Sequence, residues 1–297
     1  MRPSVGSTAG DLALPVRRVG PLARRRVARW GLHALVLASL IPIAFPILWM
    51  FVSALKPLDE LVTVPPTWLP RHPTLKHFRE LMALTNFPVY LWNSTLAACL
   101  TASVTVSVAT LGAYSLTRFS YRGRHSLAIF TLVSYMFPPI LLAIPLFVVI
   151  THLGMADSLI SLALAHISFA LPFCLWLMWG YMKSVPLALE EAAMIDGASR
   201  MSAFVRVVVP MSVPGIIAIG VLSFLVSWND YLYALILLTS EGKKTLSLGV
   251  STFIGPMAVE WGLINAAGVV ITLPVILFFG VVQRFLVQGF GAGAVKE

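Results

Sequence analysis

The sequence predicts an all-α membrane protein of six transmembrane helices, and three observations predict it. Of 297 residues, 58% are hydrophobic and only 11% charged, at a mean hydropathy of +0.88; a soluble domain of that length needs far more charged surface to stay dispersed. Six windows each hold the roughly 20 mainly apolar residues that a helix needs to cross a hydrocarbon core about 30 Å thick. The net charge of +9 is not laid over one basic face with interleaved aromatics, which excludes a nucleic-acid platform.

Residues 1–29 form a basic segment holding seven of the 21 Lys/Arg, among them Arg17, Arg18, Arg24, Arg25, Arg26 and Arg29. Cations placed just before an apolar run hold that helix end in the cytoplasm. The run over residues 30–55 lacks a small-residue cleavage site and is too long for the h-region of a signal peptide, so it reads as the first span. The others are 90–116, 126–150, 158–181, 211–239 and 264–286, giving one six-helix domain over 30–287 and a short tail, 288–297. No separate soluble domain fits into the connectors.

An even number of spans puts both termini on one side. With the N-terminus inside, the cytoplasmic segments hold 15 Lys/Arg and the external connectors six: Lys56, Arg71, Lys76, Arg79, Lys243 and Lys244. The positive-inside rule therefore predicts a multi-pass protein of the plasma or inner membrane with both termini cytoplasmic. Pro42, Pro46, Pro138, Pro139, Pro145, Pro172 and Pro274 fall within the spans, where each removes a backbone donor and bends its helix unless neighbours compensate. In the second span Thr95, Thr101, Ser103, Thr105, Ser107 and Thr110 supply small polar residues for packing against another helix. Cys99 and Cys174 lie in apolar stretches and read as small hydrophobes, forming neither a disulfide nor a metal site.

The most informative segment is SVPLALEEAAMIDGASRMSAFVRVVVPMSVPG, residues 184–215, on the cytoplasmic side between spans four and five. It reads as two short helices and a turn. Ser184 is placed to cap the first and Pro186 fits its opening turn. Leu189, Ala192, Ala193 and Asp196 follow at helical spacing, and Gly197 lets the chain turn with a positive φ. Ser199 caps a second helix that runs to Val209 and is ended by Pro210 and Pro214.

Here the sequence resembles the inner-membrane permeases of binding-protein-dependent ABC importers. Their signature is EAA, three residues, Gly, nine residues, then I-x-L-P. Glu191, Ala192, Ala193 and Gly197 match it, and Val207-Val208-Val209-Pro210 closes it with two conservative departures. The fuller form supplied by Asp196, Gly197, Ala198 and Phe204 is similar to the carbohydrate branch. FLVSWNDYL at residues 224–232 and the tail resemble the smaller permease of maltose-type systems.

That resemblance implies a type I importer permease whose loop is a coupling helix seated in a groove of an ATPase. Glu191, with Glu190 beside it, would be the ionic contact and Ala192 and Ala193 the close-packing face. Gly197, flanked by Asp196 and Ala198, would be the turn, and Phe204 would anchor the second helix ahead of Pro210. The implied partners are a second, homologous six-helix permease, two copies of an ABC ATPase, an extracytoplasmic solute-binding protein and the lipid bilayer. An ordinary amphipathic interfacial helix is the plainer alternative for the same stretch.

No GxxxxGK[ST] phosphate loop occurs in the chain. The nearest string, Glu241-Gly242-Lys243-Lys244-Thr245, lacks the upstream glycine and falls on the external side, so ATP and Mg are expected in the partner ATPase, with no cofactor bound here. No catalytic or metal cluster is predicted. Polar residues inside spans are costly and mark pathway candidates: Asn93, Trp228, Asn229, Asp230, Tyr231 and Asn265. Amides and a carboxylate among aromatics suit a sugar's hydroxyls and flat faces. Helix-to-helix bonding is an equal reading for Asn93 and Asn265, and His166 reads as a satisfied interior histidine. The connector VPPTWLPRHPT, residues 64–74, is either a surface for the binding protein or an extended spacer. An importer of another solute and an ion-coupled secondary transporter are the competing functions; the second would need in-span carboxylates or repeated broken helices.

Overall fold

A computed structural model describes residues 21–255 and 259–293. The side chains of the predicted N-terminal basic segment and C-terminal tail lie outside the described set. The described residues divide at position 49/50 into two compact units. In the first, helix α1 (Pro21–Ala54, reaching into the second unit) runs through Pro42 and Pro46 and presents Leu35, Ile41 and Leu48 outward.

The second unit contains α2 (Lys76–Ala83), α3 (Phe87–Arg118), α4 (Arg124–Tyr135), α5 (Pro139–His152), α6 (Leu159–Met182), α7 (Leu187–Ile195), α8 (Arg200–Met211), α9 (Val213–Trp228), α10 (Leu232–Leu237), α11 (Leu246–Ser251) and α12 (Trp261–Gly293). Its centre is α3 packed on α6 and α9. Small residues permit the close approach: a Cβ on Gly112 would stand 2.8 Å from Leu175 of α6, and one on Gly215 of α9 the same distance from Tyr181. Thr101, Thr105 and Thr110 turn into this core while Ser103 and Ser107 face out, so the second span packs through part of its predicted polar set. Cys174 is buried and Cys99 exposed, both as free thiols.

Four described helices are long and apolar enough to cross a membrane, and the number reaches six if each of two bent pairs is one crossing. Within the predicted spans 126–150 and 211–239 the helix is broken, and neither is a single rod. The third window breaks at residues 136–138, where α4 and α5 meet at a 100° bend; adjoining Pro138 and Pro139 remove two successive backbone donors there. The fifth window begins with a 75° bend between α8 and α9. It is interrupted again at Asn229, Asp230 and Tyr231 before α10.

The Pro-rich connector after α1 is held folded by its own side chains. Buried Glu60 accepts the amides of Arg71 (2.9 Å) and His72 (3.1 Å), Lys56 donates to the Thr67 carbonyl, and His77 Nε2 lies 2.9 Å from the Lys56 carbonyl. Charged side chains thus satisfy the backbone of a Pro-rich loop that cannot pair with itself, leaving Val64, Trp68 and Leu69 at its surface.

Candidate functional site

The first helix of the loop over residues 184–215 begins two residues later than predicted: Pro186, not Ser184, precedes α7. The helix closes as anticipated at Gly197, whose φ is +90°. The Ala198 amide donates to Ala193 O (3.0 Å) and the Gly197 amide to Met194 O (3.1 Å), the paired bonds of a Schellman closure. No atom lies within 4 Å of a Cβ built on Gly197, so glycine is required there by backbone conformation and not by space. Ser199 Oγ then accepts the Ser202 amide (3.2 Å) and starts α8.

α8 departs from the predicted regular helix. Phe204–Val208 forms a wide π turn, in which the Val209 amide donates to Phe204 O. Pro210 lacks the donor that the Arg206 carbonyl would have used, and the wider turn moves the chain past that gap. Pro210 consequently lies inside the last turn of α8 instead of ending it, and the helix stops at buried Ser212. Phe204 packs on Tyr114 with ring centroids 4.5 Å apart, and the Arg200 guanidinium lies 5.0 Å from the centre of the Phe119 ring.

The two adjacent glutamates separate. Successive helical residues point about 100° apart, so one can be sealed while the next is wet. Glu191 is exposed, with Ala192, Asp196 and Gly197 also at the surface and Ala193 and Ala198 half-buried. Leu187, Leu189, Ile195, Met201 and Val205 of the same loop are exposed as well. Glu190 turns inward instead: it receives the Tyr114 hydroxyl hydrogen bond and Arg118 Nε at 2.9 Å, while Arg118 Nη2 donates to Val185 O (2.9 Å). Its side chain is 2% exposed and that of Arg118 8%. In this chain Glu190 therefore meets α3, and only Glu191 is presented outward.

The predicted pathway residues divide in the same way. Asn93 donates to the carbonyls of Gly242 (2.9 Å) and Lys244 (3.0 Å). Trp228 is buried, donates to Ile271 O (3.2 Å) and stacks on Phe224. Asn265 bonds Trp261 O within its own helix. Asp230 caps α10, taking the Tyr233 and Ala234 amides at 3.3 and 3.0 Å, and His166 Nε2 stands 3.2 Å from its second oxygen. Exposed Asn229 bonds Leu225 O, and Tyr231 is exposed beside it.

His166 is an interior histidine as read, yet its connections were not visible. Its Nδ1 meets Ser227 Oγ at 2.8 Å while its Nε2 makes no hydrogen bond, so the fully buried ring on α6 is tied to the α9 side of the gap and stands beside Asp230 on the other. Tyr233, stacked on Phe169, donates to the Pro139 carbonyl (2.7 Å) at the head of α5. The two broken helices are thereby joined. Asp157, itself at a φ of +54°, accepts the Thr239 and Ser240 amides, the Ser240 hydroxyl and Lys243 Nζ. Those donors hold its carboxyl well below the usual carboxylate range, the Ser240 hydroxyl foremost.

Residues 85–291 match the family described as binding-protein-dependent transport system inner membrane component. An Escherichia coli K12 inner membrane ABC transporter permease protein is 34% identical over 92% of this chain and 98% of its own. The trehalose/maltose transport system permease protein of Thermococcus litoralis is 32% identical over 85% and 91%, and the trehalose transport system permease protein of Mycobacterium tuberculosis is 32% identical over 93% and 100%. Among solved structures, a chain of a bacterial ABC transporter involved in the import of the acidic polysaccharide alginate superposes with a TM-score of 0.76 at 21% identity, over 87% of this chain and 96% of that one.

Proposed function

The chain belongs to the inner membrane components of binding-protein-dependent transport systems, and from that premise we propose that it carries a carbohydrate of disaccharide or oligosaccharide size through an ATP-driven importer. Relatives named for trehalose, maltose and diacetylchitobiose support the cargo class. The observation that carries the mechanism is the loop over 184–215, which leaves Glu191 and several apolar side chains exposed while it ties Glu190 to α3 inward. A partner that moves this loop moves a membrane helix with it.

In this reading the loop is cytoplasmic, as are both termini, and seats against one of two ATPase subunits that bind ATP and Mg. Glu191 contacts basic groove residues and the neighbouring alanines allow close approach. A second permease completes the pore, and a binding protein delivers the sugar from outside. Asn229 and Tyr231, exposed where the fifth span is interrupted, form part of the pathway wall. Closure of the ATPase pair shifts the coupling loops and changes the side to which that wall opens.

The test is sugar uptake by membrane vesicles bearing the complete transporter with Glu191→Lys or Gly197→Trp. Both variants reach the membrane and lose uptake; normal transport by both refutes the assignment. Uptake that survives ATP depletion and collapses with the proton gradient would establish an ion-coupled transporter instead.

A further inference from the structure

Thr117 and Arg118 at the end of α3, Arg124 and His125 at the start of α4, and Trp179 and Lys183 at the end of α6 line a cavity of about 380 Å³. That volume lies in the small-ligand range of roughly 300–1,000 Å³. Its lining contains three permanent cations, one histidine and no acid.

Arg118 is matched by Glu190, which leaves Arg124 and Lys183 as the charges available to a ligand. Both are exposed. Arg124 commits Nη1 to the Phe119 carbonyl (3.0 Å), and the Lys183 ammonium sits 3.4 Å over the Trp179 ring, which positions it at the cavity. α4 begins at Arg124 after left-handed Gly123, with no acid in its first turn, so the positive end of that helix adds to the same field.

Trp179 and Lys183 also border a second recess of about 310 Å³ whose other walls are Trp176, Leu177, Gly180 and Tyr181. Leu127 and Phe130, about one turn further along α4, are exposed as well. A cationic chamber adjoining an apolar trough suits an amphiphile with an anionic head, and basic pockets at the ends of membrane helices are a recurrent means of binding such headgroups.

We propose that this cavity binds the phosphate of an anionic phospholipid, with an acyl chain in the adjoining recess. The proposal rests on the permease reading only for placing the site at the cytoplasmic leaflet. Binding beside Arg118 puts the lipid next to the joint between α3 and the coupling helix.

Native mass spectrometry of the delipidated, assembled transporter tests it, with phosphatidylglycerol, phosphatidylcholine and inorganic phosphate as separate probes. Phosphatidylglycerol is retained where phosphatidylcholine is stripped. The double variant Arg124→Gln with Lys183→Gln weakens that retention at least roughly tenfold, and each single variant by about a third of that factor. Arg122→Gln removes the same charge from the same loop without touching the lining, and changes retention less than about twofold. Equal binding of the two lipids, equal loss in Arg122→Gln, or displacement of phosphatidylglycerol by inorganic phosphate would each overturn the lipid site. The single variants decide the matter if the double variant does not assemble. The same spectra weigh the ATPase subunits, so their absence would sink the importer reading separately from the lipid result.

Discussion

Arg118 Nε lies 2.9 Å from Glu190 Oε2 with both side chains sealed from solvent, so the last turn of α3 and the first turn of α7 share one ionic joint. Removing one partner of such a pair strands the other and costs about 3–5 kcal/mol. Glu190→Gln is expected to lower vesicle uptake at least roughly tenfold, whereas the ATPase subunits still co-purify because the outward Glu191 face is untouched. Normal uptake would mean that the joint does not transmit the loop's motion.

Gly197 provides a graded test of backbone conformation. At a φ of +90° with open space around it, a side chain meets strain without collision, of the order of 1–2 kcal/mol for an ordinary L-residue and less for asparagine. Uptake should therefore rank Gly above Asn, Asn above Ala and Ala above Val. Equal activity of the Asn and Ala variants would show that the left-handed turn is not what the glycine supplies.

Gly249 behaves oppositely, because a Cβ there would enter the Tyr90 ring. That ring donates from its hydroxyl to Glu241. Gly249→Ala should displace it and cost about 1–3 kcal/mol, read as a lowered unfolding temperature. Gly242→Ala, with nothing within 4 Å, should leave that temperature nearly unchanged.

The Asp157 clasp gives a pH expectation. Its folded pKa is depressed, chiefly by the Ser240 hydroxyl and then by the Ser240 amide, against an ordinary value of 3.8. A depressed carboxylate contributes stability that is complete above the unfolded value and disappears as pH falls through the folded one. Amide exchange at residues 239–244, corrected for its intrinsic rate, should thus show constant protection from pH 7 to pH 5. Asp157→Asn should lose protection across the same range; pH-dependent opening in the unmodified protein would contradict this.

The parts that were legible in the sequence have local causes. Gly197 turns its helix through its own bond to Met194 and that of Ala198 to Ala193, and Ser199 caps the next one three residues ahead. The parts that were not depend on distant partners. Nothing in Glu190-Glu191 indicates which carboxylate turns inward until Arg118, 72 positions away, is placed beside Glu190. His166 likewise acquires its meaning from Ser227, 61 positions on. The breaks were visible only in part: Pro138 and Pro139 announced a bend, but hydropathy averages over a window, and Asn229 hardly lowers that average while ending the run of backbone bonds. The wide turn at Phe204–Val208 also leaves the apolar pattern intact.

The corner between α4 and α5 is in effect a length adjuster. Drawn straight from Arg124 to His152, that stretch would be a rod of about 43 Å, well beyond a hydrocarbon layer of about 30 Å. Folded through 100°, its two tips stand only about 25 Å apart by the same rise per residue. The Tyr233 hydroxyl, fastened to the Pro139 carbonyl, works as the gusset that keeps this carpenter's square from opening into an oversized beam.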